Sequence, residues 1–393
     1  MGTTALMILF SLEFPRILGW FPFLIGIGAL IYCHIGQQET PKIPKTLGLS
    51  LLAIITLATA SIFWSNFAPE LYDKVLKIAG IFIGGLILYA SFSTLKLENH
   101  PALLLLPLAT GATMFLCILE LSFDLQLYRL SHDAIGNRDT NTSVMNRGIV
   151  FMVLLFFPML RIIQSSALEA KQKNQATMIY WILALSMLAL TQSQSAQLAF
   201  IMGIITYYGL PYKHKITYKV LAALITIAII TAPLIVKIMF NAVVVDINTL
   251  PWIKEGYAAE RLEIWNFVTS YALNNPINGH GILATRYIDD FNAGELFYKG
   301  TSVLHPHNFA VQIWIEFGAI GTILGSILVA VFLNKTRKEN PENSRLILTV
   351  FISTLSVMAV GYGMWQSWWI GMLFFIASLL AILRPASSNQ ASK

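Results

Sequence analysis

The sequence predicts an all-α integral membrane protein with about 12 transmembrane helices and one large outer loop that contains an amphipathic helix. Hydrophobic residues make up 56% of the 393 residues, and charged residues make up only 12%, against about 25% in an ordinary soluble domain. Apolar runs of about 20 residues, the length that crosses a bilayer core as a helix, recur along the chain. Lysine and arginine are concentrated in alternate loops, which is typical of a protein threaded through a membrane.

Eleven apolar runs are long enough to cross a bilayer. They lie at about 17–35, 46–63, 75–92, 101–120, 147–164, 176–191, 195–210, 217–236, 308–333, 346–364 and 367–383. A shorter run at 4–14, followed by Pro15, would form a short or tilted first helix. Because this run holds Glu13, is followed by Arg16 and lacks a small-residue cleavage site, we expect no cleavable signal peptide.

The distribution of basic residues predicts the orientation of the chain. The loops near 36–45, 93–100, 161–176, 211–219 and 334–345, with the tail from 384, carry 15 of the 26 lysine and arginine residues. The positive-inside rule places them in the cytoplasm, so the formal charge of +6 indicates topology and not binding of nucleic acid. Trp365, Trp368 and Trp369 then fall near the outer interface, where aromatic belts lie.

This topology predicts three parts of the chain. Residues 1–236 form about eight membrane helices, residues 237–306 form an outer loop that is periplasmic if the cell has two membranes, and residues 307–393 form about three more helices. Cys33 and Cys117 both lie in apolar runs, so neither a disulfide framework nor a thiol metal site is expected.

The outer loop holds most of the candidate residues for chemistry. Its apolar positions between 261 and 273 follow helical spacing, which predicts an amphipathic helix that packs on the bundle. The tight turn 278–281 follows, and the loop ends at His305-Pro-His307-Asn308, directly before a long apolar run. Titratable and hydrogen-bonding groups are therefore expected at a membrane surface.

The motif residues of this loop are similar to those of a known family. Arg261 with Trp265, Pro276, Gly279, Gly281, Pro306-His307-Asn308 and, nine residues later, Gly318-Ala-Ile-Gly321-Thr322 resemble the O-antigen ligase and polymerase superfamily. The resemblance implies a multi-spanning bacterial inner-membrane enzyme that transfers a glycan from undecaprenyl pyrophosphate at the periplasmic face. Ligases use a lipid A core sugar as acceptor, polymerases use another carrier-linked glycan, and related enzymes use a protein hydroxyl.

The ligase activity is our leading interpretation, with the polymerase as its nearest alternative. A transporter of lipid-linked sugars is a third possibility, but it predicts charged residues deep within several spans, and these are few in the sequence.

The chemistry of the implied reaction fits the residues of the loop. Negative charge builds on the leaving pyrophosphate, and since no metal-ligand cluster or cofactor motif is visible, arginine is the residue expected to stabilise it. We expect Arg261 in that role and His307 as general base, or as a hydrogen-bond donor to a substrate oxygen. Asn308 and His305 are expected to contact substrate, although a structural role for His305 is the simpler interpretation.

The family has a second arginine in its site, and the resemblance does not show which residue of this chain replaces it. The family carries an arginine near the outer end of a central helix, and the matching segment of this chain has Gln194 there. We expect Arg147, at the outer start of another span, to supply the missing charge, and Gln194 to be a neutral substrate contact. The segment 191–195 is otherwise predicted to be a polar hairpin.

Each candidate also has a purely structural interpretation. His307 could cap the following helix, and Arg261 could pair with Glu260, Glu263 or Asp246 on or near its own helix. Arg147 could extend its charge to the edge of the bilayer. Glu316, inside the helix after His307, is expected to be structural, with Gln312 one turn away as its partner.

Overall fold

The computed structural model describes residues 1–65, 68–95, 97, 100–133, 136, 140–247, 257–288, 297–298, 300 and 302–384. In these residues every regular element is a helix, and no strand is found among them. The prediction of an all-α protein is confirmed for this part of the chain. Residues 248–256 and 289–296 of the predicted outer loop lie outside the described residues, as do Lys96 of one basic loop and most of the basic tail.

The α-helices of the described residues are numbered here in chain order. They are α1 (Gly2–Phe10), α2 (Phe21–Ile31), α3 (Lys45–Ala60), α4 (Ala68–Thr94), α5 (Leu105–Ser122), α6 (Gln126–Ser131), α7 (Asn146–Ser165), α8 (Ala170–Leu190), α9 (Gln194–Ile204), α10 (Lys215–Ile247), α11 (Ala258–Ala272), α12 (Phe309–Thr336), α13 (Pro341–Val360) and α14 (Ser367–Ile382). The short helical turn Ser61–Trp64 extends α3, and Ile205–Gly209 extends α9.

Seven helical segments within the described residues are long and apolar enough to cross a membrane. They are Lys45–Trp64, Pro69–Thr94, Pro101–Ser122, Thr142–Ser165, Lys215–Val243, Phe309–Thr336 and Pro341–Val360. Phe21–Gly36 and Ser367–Ile382 are apolar but shorter, and α1 has only nine residues. The chain is therefore a multi-pass membrane protein, while the count of about 12 spans and the periplasmic position of the loop stay predictions.

Helix α11 corresponds to the predicted amphipathic helix. It packs against α10 and α12, and it buries Ile264, Val268 and Ala272 in their shared core. The predicted helix and its packing are thus confirmed. Helix α10 continues to Ile247, beyond the predicted end of the span at 236, so the outer loop starts with a helical extension.

The described chain forms two compact units. The first comprises the described residues of 1–44, 81–203 and 367–384, and its core is α7, which packs against α5, α8 and α14. Trp368 and Trp369 lie in this core with 5% and 1% of their surface exposed. Both rings therefore pack against protein, and their predicted position near the outer interface stays a prediction.

The second unit comprises residues 45–80 and 204–366 and is built around α10, α11 and α12. Pro233 interrupts the hydrogen bonding of α10, because proline has no N–H to donate to the carbonyl of Ile229 four residues earlier. The indole N–H of Trp314 on α12 donates to that carbonyl over 2.8 Å. A backbone group that lipid could not satisfy is therefore bonded within the protein.

Helix α12 is broken at Gly318, whose φ of 55° and ψ of −144° are not helical. In an unbroken helix the N–H groups of Ala319 and Ile320 would bond to carbonyls four residues earlier. They bond instead to the carbonyls of Pro276 and Ile277, over 2.8 and 3.1 Å. A Cβ at position 318 would lie 2.7 Å from the carbonyl oxygen of Ile277, so only glycine fits there.

The carbonyls that the break exposes are bonded by the same turn. Ile315 and Glu316 accept hydrogen bonds from the N–H groups of His280 and Gly281, over 2.8 and 2.9 Å. Gly279, at φ 65°, lies so close that a Cβ would be 2.6 Å from the carbonyl carbon of Glu316. The turn 276–281 thus fills the gap in α12, which explains why both segments of the motif need glycine.

Candidate functional site

His307 lies directly before α12 with a left-handed backbone, φ 56°. The helix cap is the next residue, Asn308, whose side-chain oxygen accepts hydrogen bonds from the N–H groups of Ala310 and Val311, over 3.0 and 3.1 Å. The interpretation of His307 as the cap is therefore wrong. Left-handed backbone is unfavourable for a residue with a side chain, and such strain is often found at functional sites.

The imidazole of His307 is hydrogen-bonded to a backbone carbonyl. Its Nδ1 is within hydrogen-bond distance of the carbonyl oxygen of Gly361, which can only accept, so Nδ1 carries the proton and Nε2 keeps a lone pair. Burial, and next the positive charge of Arg261, lower the pKa of His307 to about 4, although the Gly361 hydrogen bond opposes the shift. The ring is therefore neutral at neutral pH, with Nε2 able to accept a proton.

Arg261 lies in the first turn of α11 and is partly buried. Burial lowers the pKa of its guanidinium, while the negative charges that Tyr362 and Glu260 carry at the high pH where arginine titrates oppose that shift. Arginine remains charged at any ordinary pH in spite of such a shift. Since its charge acts on His307, the structure brings the two predicted catalytic residues into one electrostatic neighbourhood.

One of the alternative partners of Arg261 is bonded to another segment. The Glu263 carboxylate accepts hydrogen bonds from the backbone N–H groups of Phe297 and Tyr298, over 2.8 and 2.7 Å. Glu263 is 4% exposed, so these bonds compensate for the burial of its charge. The carboxylate fixes the end of the outer loop to α11.

His305 lies against His307 with 4.2 Å between the ring centres and 60° between the planes. Its Nε2 is 2.7 Å from the side-chain nitrogen of Gln366, which can only donate, so His305 presents Nε2 as an acceptor. Gly363 lies next to this ring, where a Cβ would be 2.6 Å from it. These contacts position the imidazole, and its predicted contact with substrate stays a prediction, as does that of Asn308.

Residues 361–366 line one side of this site. The motif did not predict their contribution. They provide the carbonyl of Gly361, the hydroxyl of Tyr362 and the amide of Gln366. The predicted span 346–364 includes part of this segment, but α13 ends at Val360 because Gly361 leaves the helical conformation, with ψ −96°. In the sequence, the polar residues of this segment between two apolar runs could have indicated that it is not part of a span.

Glu316 is 1% exposed in α12. Its carboxylate accepts hydrogen bonds from the side-chain N–H groups of Gln312, over 2.8 Å, and Trp365, over 2.6 Å. The backbone N–H of Leu283 also donates to it. The prediction that Gln312 satisfies Glu316 is confirmed, and Trp365 is a second partner that the sequence did not indicate.

Arg147 and Gln194 belong to the first unit, whereas Arg261 and His307 belong to the second. Arg147 lies in the first turn of α7, with its guanidinium carbon 5.6 Å from the ring centre of Trp368, within the range of a cation–π contact. Gln194 is the first residue of α9. The participation of both residues in a substrate site stays a prediction.

The segment around Gln194 is a polar hairpin, as predicted. The side-chain N–H groups of Gln197 donate to the carbonyls of Leu188 and Thr191, both over 3.1 Å. These bonds satisfy carbonyl groups at the C-terminal end of α8 that have no partner within the helix.

In the part of the chain that the structure describes, no three histidine, cysteine or acidic side chains lie close enough together to hold a metal ion. The second unit instead offers a neutral imidazole with a lone pair, a guanidinium and a phenol hydroxyl. Such a set can bind an anionic oxygen and accept a proton from a hydroxyl.

Comparison with known proteins identifies related chains. Residues 179–326 match the model of the O-antigen ligase family. A protein of Rickettsia conorii with the provisional name polysaccharide ligase is 29% identical over 217 residues, which is 54% of this chain and 52% of the relative. Similarly named proteins of Rickettsia felis and Rickettsia typhi are 30% and 31% identical over 222 residues each, and 53% of each relative is covered.

The chain spans about half the length of the curated relatives that it matches. The matched family region includes α10, α11 and the start of α12, and it contains both Arg261 and His307. The resemblance read from the motif is therefore confirmed: residues 179–326 of this chain are similar to the O-antigen ligase family.

Proposed function

We propose that the protein is an O-antigen ligase-type glycosyltransferase of the bacterial inner membrane. It moves a glycan from undecaprenyl pyrophosphate to a lipid A core sugar at the periplasmic face. The observation that carries the proposal is the pairing of a neutral imidazole and a guanidinium in the second unit, in the region that matches the O-antigen ligase family.

In the proposed reaction the acceptor hydroxyl oxygen forms a bond to the anomeric carbon of the donor glycan. The bond from that carbon to the pyrophosphate oxygen breaks, and undecaprenyl pyrophosphate leaves with the electron pair. Arg261 stabilises the negative charge on the leaving phosphate oxygens through charge-assisted hydrogen bonds. At an effective dielectric of about 20, a phosphate charge about 4 Å from a guanidinium is attracted by about 4 kcal/mol.

His307 accepts the proton of the acceptor hydroxyl at Nε2, because Nδ1 is bonded to the carbonyl of Gly361. The low pKa of the ring keeps it neutral, and it also makes the ring a weak base while the charge of Arg261 is uncompensated. A bound pyrophosphate would offset that charge and raise the pKa of His307. Donor binding therefore prepares the base.

The test is transfer in proteoliposomes that contain the purified protein, an undecaprenyl-pyrophosphate-linked glycan and lipid A core. We expect His307→Ala and Arg261→Ala to lower transfer at least a hundredfold, consistent with loss of a general base or an anion-stabilising group. His214→Ala and Arg337→Ala remove the same residue types outside this cluster and should leave transfer near the wild-type rate. Intact transfer in the first pair would refute the site.

The product distinguishes the proposed ligase from a polymerase. A ligase yields glycosylated lipid A core, whereas a polymerase lengthens the carrier-linked glycan and leaves the core unchanged. Lengthening of the carrier-linked glycan without core modification would replace the ligase proposal.

A further inference from the structure

Two buried polar side chains of α12 face the segment 361–366. Gln312 and Glu316 lie one helical turn apart, and each is only 1% exposed. Glu316 accepts hydrogen bonds from Gln312 and from the indole N–H of Trp365. The side-chain oxygen of Gln312 accepts a hydrogen bond from the backbone N–H of Met364, over 3.0 Å. Glu316 therefore binds the side chain of Trp365, and Gln312 binds the backbone N–H of Met364.

The segment held in this way is the one that orients both histidines. Three residues before Met364, the carbonyl of Gly361 binds Nδ1 of His307. Two residues after Met364, the amide of Gln366 binds His305. A displacement of the segment would move the carbonyl that fixes the proton on Nδ1 of His307, and Nε2 would no longer be reliably free to accept a proton.

We propose that Glu316 and Gln312 are positioning residues for the transfer reaction, which act on His307 through Trp365, Met364 and the carbonyl of Gly361. The inference rests on the proposed function, since it assigns His307 the task of accepting a proton. Neither positioning residue has to touch substrate. Outer partners that orient a metal-ligating histidine commonly change activity by about 10- to 100-fold when they are removed, and we expect an effect of similar size for a histidine that acts as a base.

Glu316→Gln is the sharpest single change, because it keeps the volume of the side chain. An amide has one oxygen to accept a hydrogen bond, and its NH2 group must face one of the donors that now meet a carboxylate oxygen. We expect kcat to fall about tenfold or more while the KM values for donor and acceptor stay within about twofold of wild type. In this proposal Glu316 does not contact substrate, so we expect the loss to appear in kcat and not in KM.

Trp365→Phe removes the same hydrogen bond from the other side and retains an aromatic ring. If Glu316 acts through Trp365, the double variant should be about as slow as the slower single variant, because one shared bond is lost only once. Should the Glu316 variant fail to accumulate, Trp365→Phe and Gln312→Met interrupt the same connection and carry the same expectation.

Glu120→Gln is the matched control in the first unit. Glu120 is 4% exposed, and its carboxylate accepts two hydrogen bonds, from the N–H groups of Leu127 and Tyr128, both over 2.9 Å. The same chemical change should lower the thermal midpoint and leave kcat unchanged. If Glu316→Gln behaves like this control, or if the effects of Glu316→Gln and Trp365→Phe multiply, the positioning role is refuted.

A spectroscopic measurement separates this inference from the proposed function. The nitrogen-15 spectrum of labelled protein, with His307 assigned by its absence in His307→Ala, reports which ring nitrogen carries the proton. We expect a single Nδ1–H form in wild type and a mixture of both forms in Glu316→Gln. An unchanged Nδ1–H form in Glu316→Gln would refute the positioning role even if transfer requires His307. Intact transfer in His307→Ala would instead refute the proposed function and leave the spectroscopic result standing.

Discussion

Lowering the pH from about 7 to about 5 should leave the imidazole of His307 largely uncharged, whereas an ordinary exposed histidine gains a proton over that range. With the pKa lowered to about 4 by burial and by Arg261, the ring is about 90% neutral at pH 5. A histidine with a pKa near 6.5 is only about 3% neutral at that pH. The difference is about thirtyfold in the population that can act as a base.

The assay is acylation of His307 by diethyl pyrocarbonate, which reacts with neutral imidazole, measured on the His307 peptide by mass spectrometry. Rates are corrected for hydrolysis of the reagent at each pH, and the protein is held in nanodiscs. Wild type should react with a midpoint near pH 4. Arg261→Gln removes the positive charge and should move the midpoint upwards, while Arg261→Lys keeps the charge and should stay near wild type.

A wild-type midpoint near 6.5 would refute the burial and charge environment assigned to His307. A midpoint that does not rise in Arg261→Gln would refute the proximity of the two residues. The kinetic counterpart uses the donor: the acid limb of kcat, which reports the substrate complex, should lie at higher pH than that of kcat/KM, which reports the free enzyme. Pyrophosphate bound to Arg261 produces this difference.

Three further outcomes follow from the fold. Gly318→Ala places a Cβ at φ 55° against a carbonyl, so we expect a loss of unfolding free energy of about 1–3 kcal/mol or more, measured as a fall in denaturant midpoint in detergent. Trp314→Phe leaves the carbonyl of Ile229 without its donor, and we expect a cost of about 1–3 kcal/mol in the same assay. The lowered pKa of His307 means that the unfolded chain binds the proton more readily, so stability of up to about 3 kcal/mol is present above pH 6.5 and is lost as the pH falls towards 4.

Each of these outcomes has a control within the chain. Gly325→Ala lies in the same helix, where a Cβ would meet only an ordinary contact at 3.6 Å, and it should be neutral or stabilising by up to about 1 kcal/mol. Trp181→Phe changes the same residue type in an aromatic cluster of the first unit and leaves the Ile229 carbonyl bonded. His307→Asn should remove the difference in acid stability, and persistence of that difference would assign it to other groups.

The local pattern of the sequence was enough to locate most helices. Apolar runs placed α3, α5, α7 and α13 within a few residues of their observed ends, because the length of a run and its flanking polar residues are local properties. Helical spacing likewise predicted α11 and its buried stripe of Ile264, Val268 and Ala272. The Pro-His-Asn and glycine motifs indicated both the family and the candidate pair Arg261 and His307.

The partners of those residues were decided by the tertiary structure alone. Periodicity indicates which face of a helix is apolar but not which distant segment meets it, so the contact between His307 and Gly361, 54 residues apart, has no local signal. The same holds for the 85-residue separation between Trp314 and the carbonyl that Pro233 leaves free.

The spacing of the glycines by itself determined only that two tight backbone positions exist. The fold decided that the turn 276–281 fills the break at Gly318, since a helix can be interrupted inside a membrane protein only where another segment bonds the exposed groups. Composition and pattern therefore fixed what the elements are, while hydrogen bonding between remote segments decided how the candidate base is held.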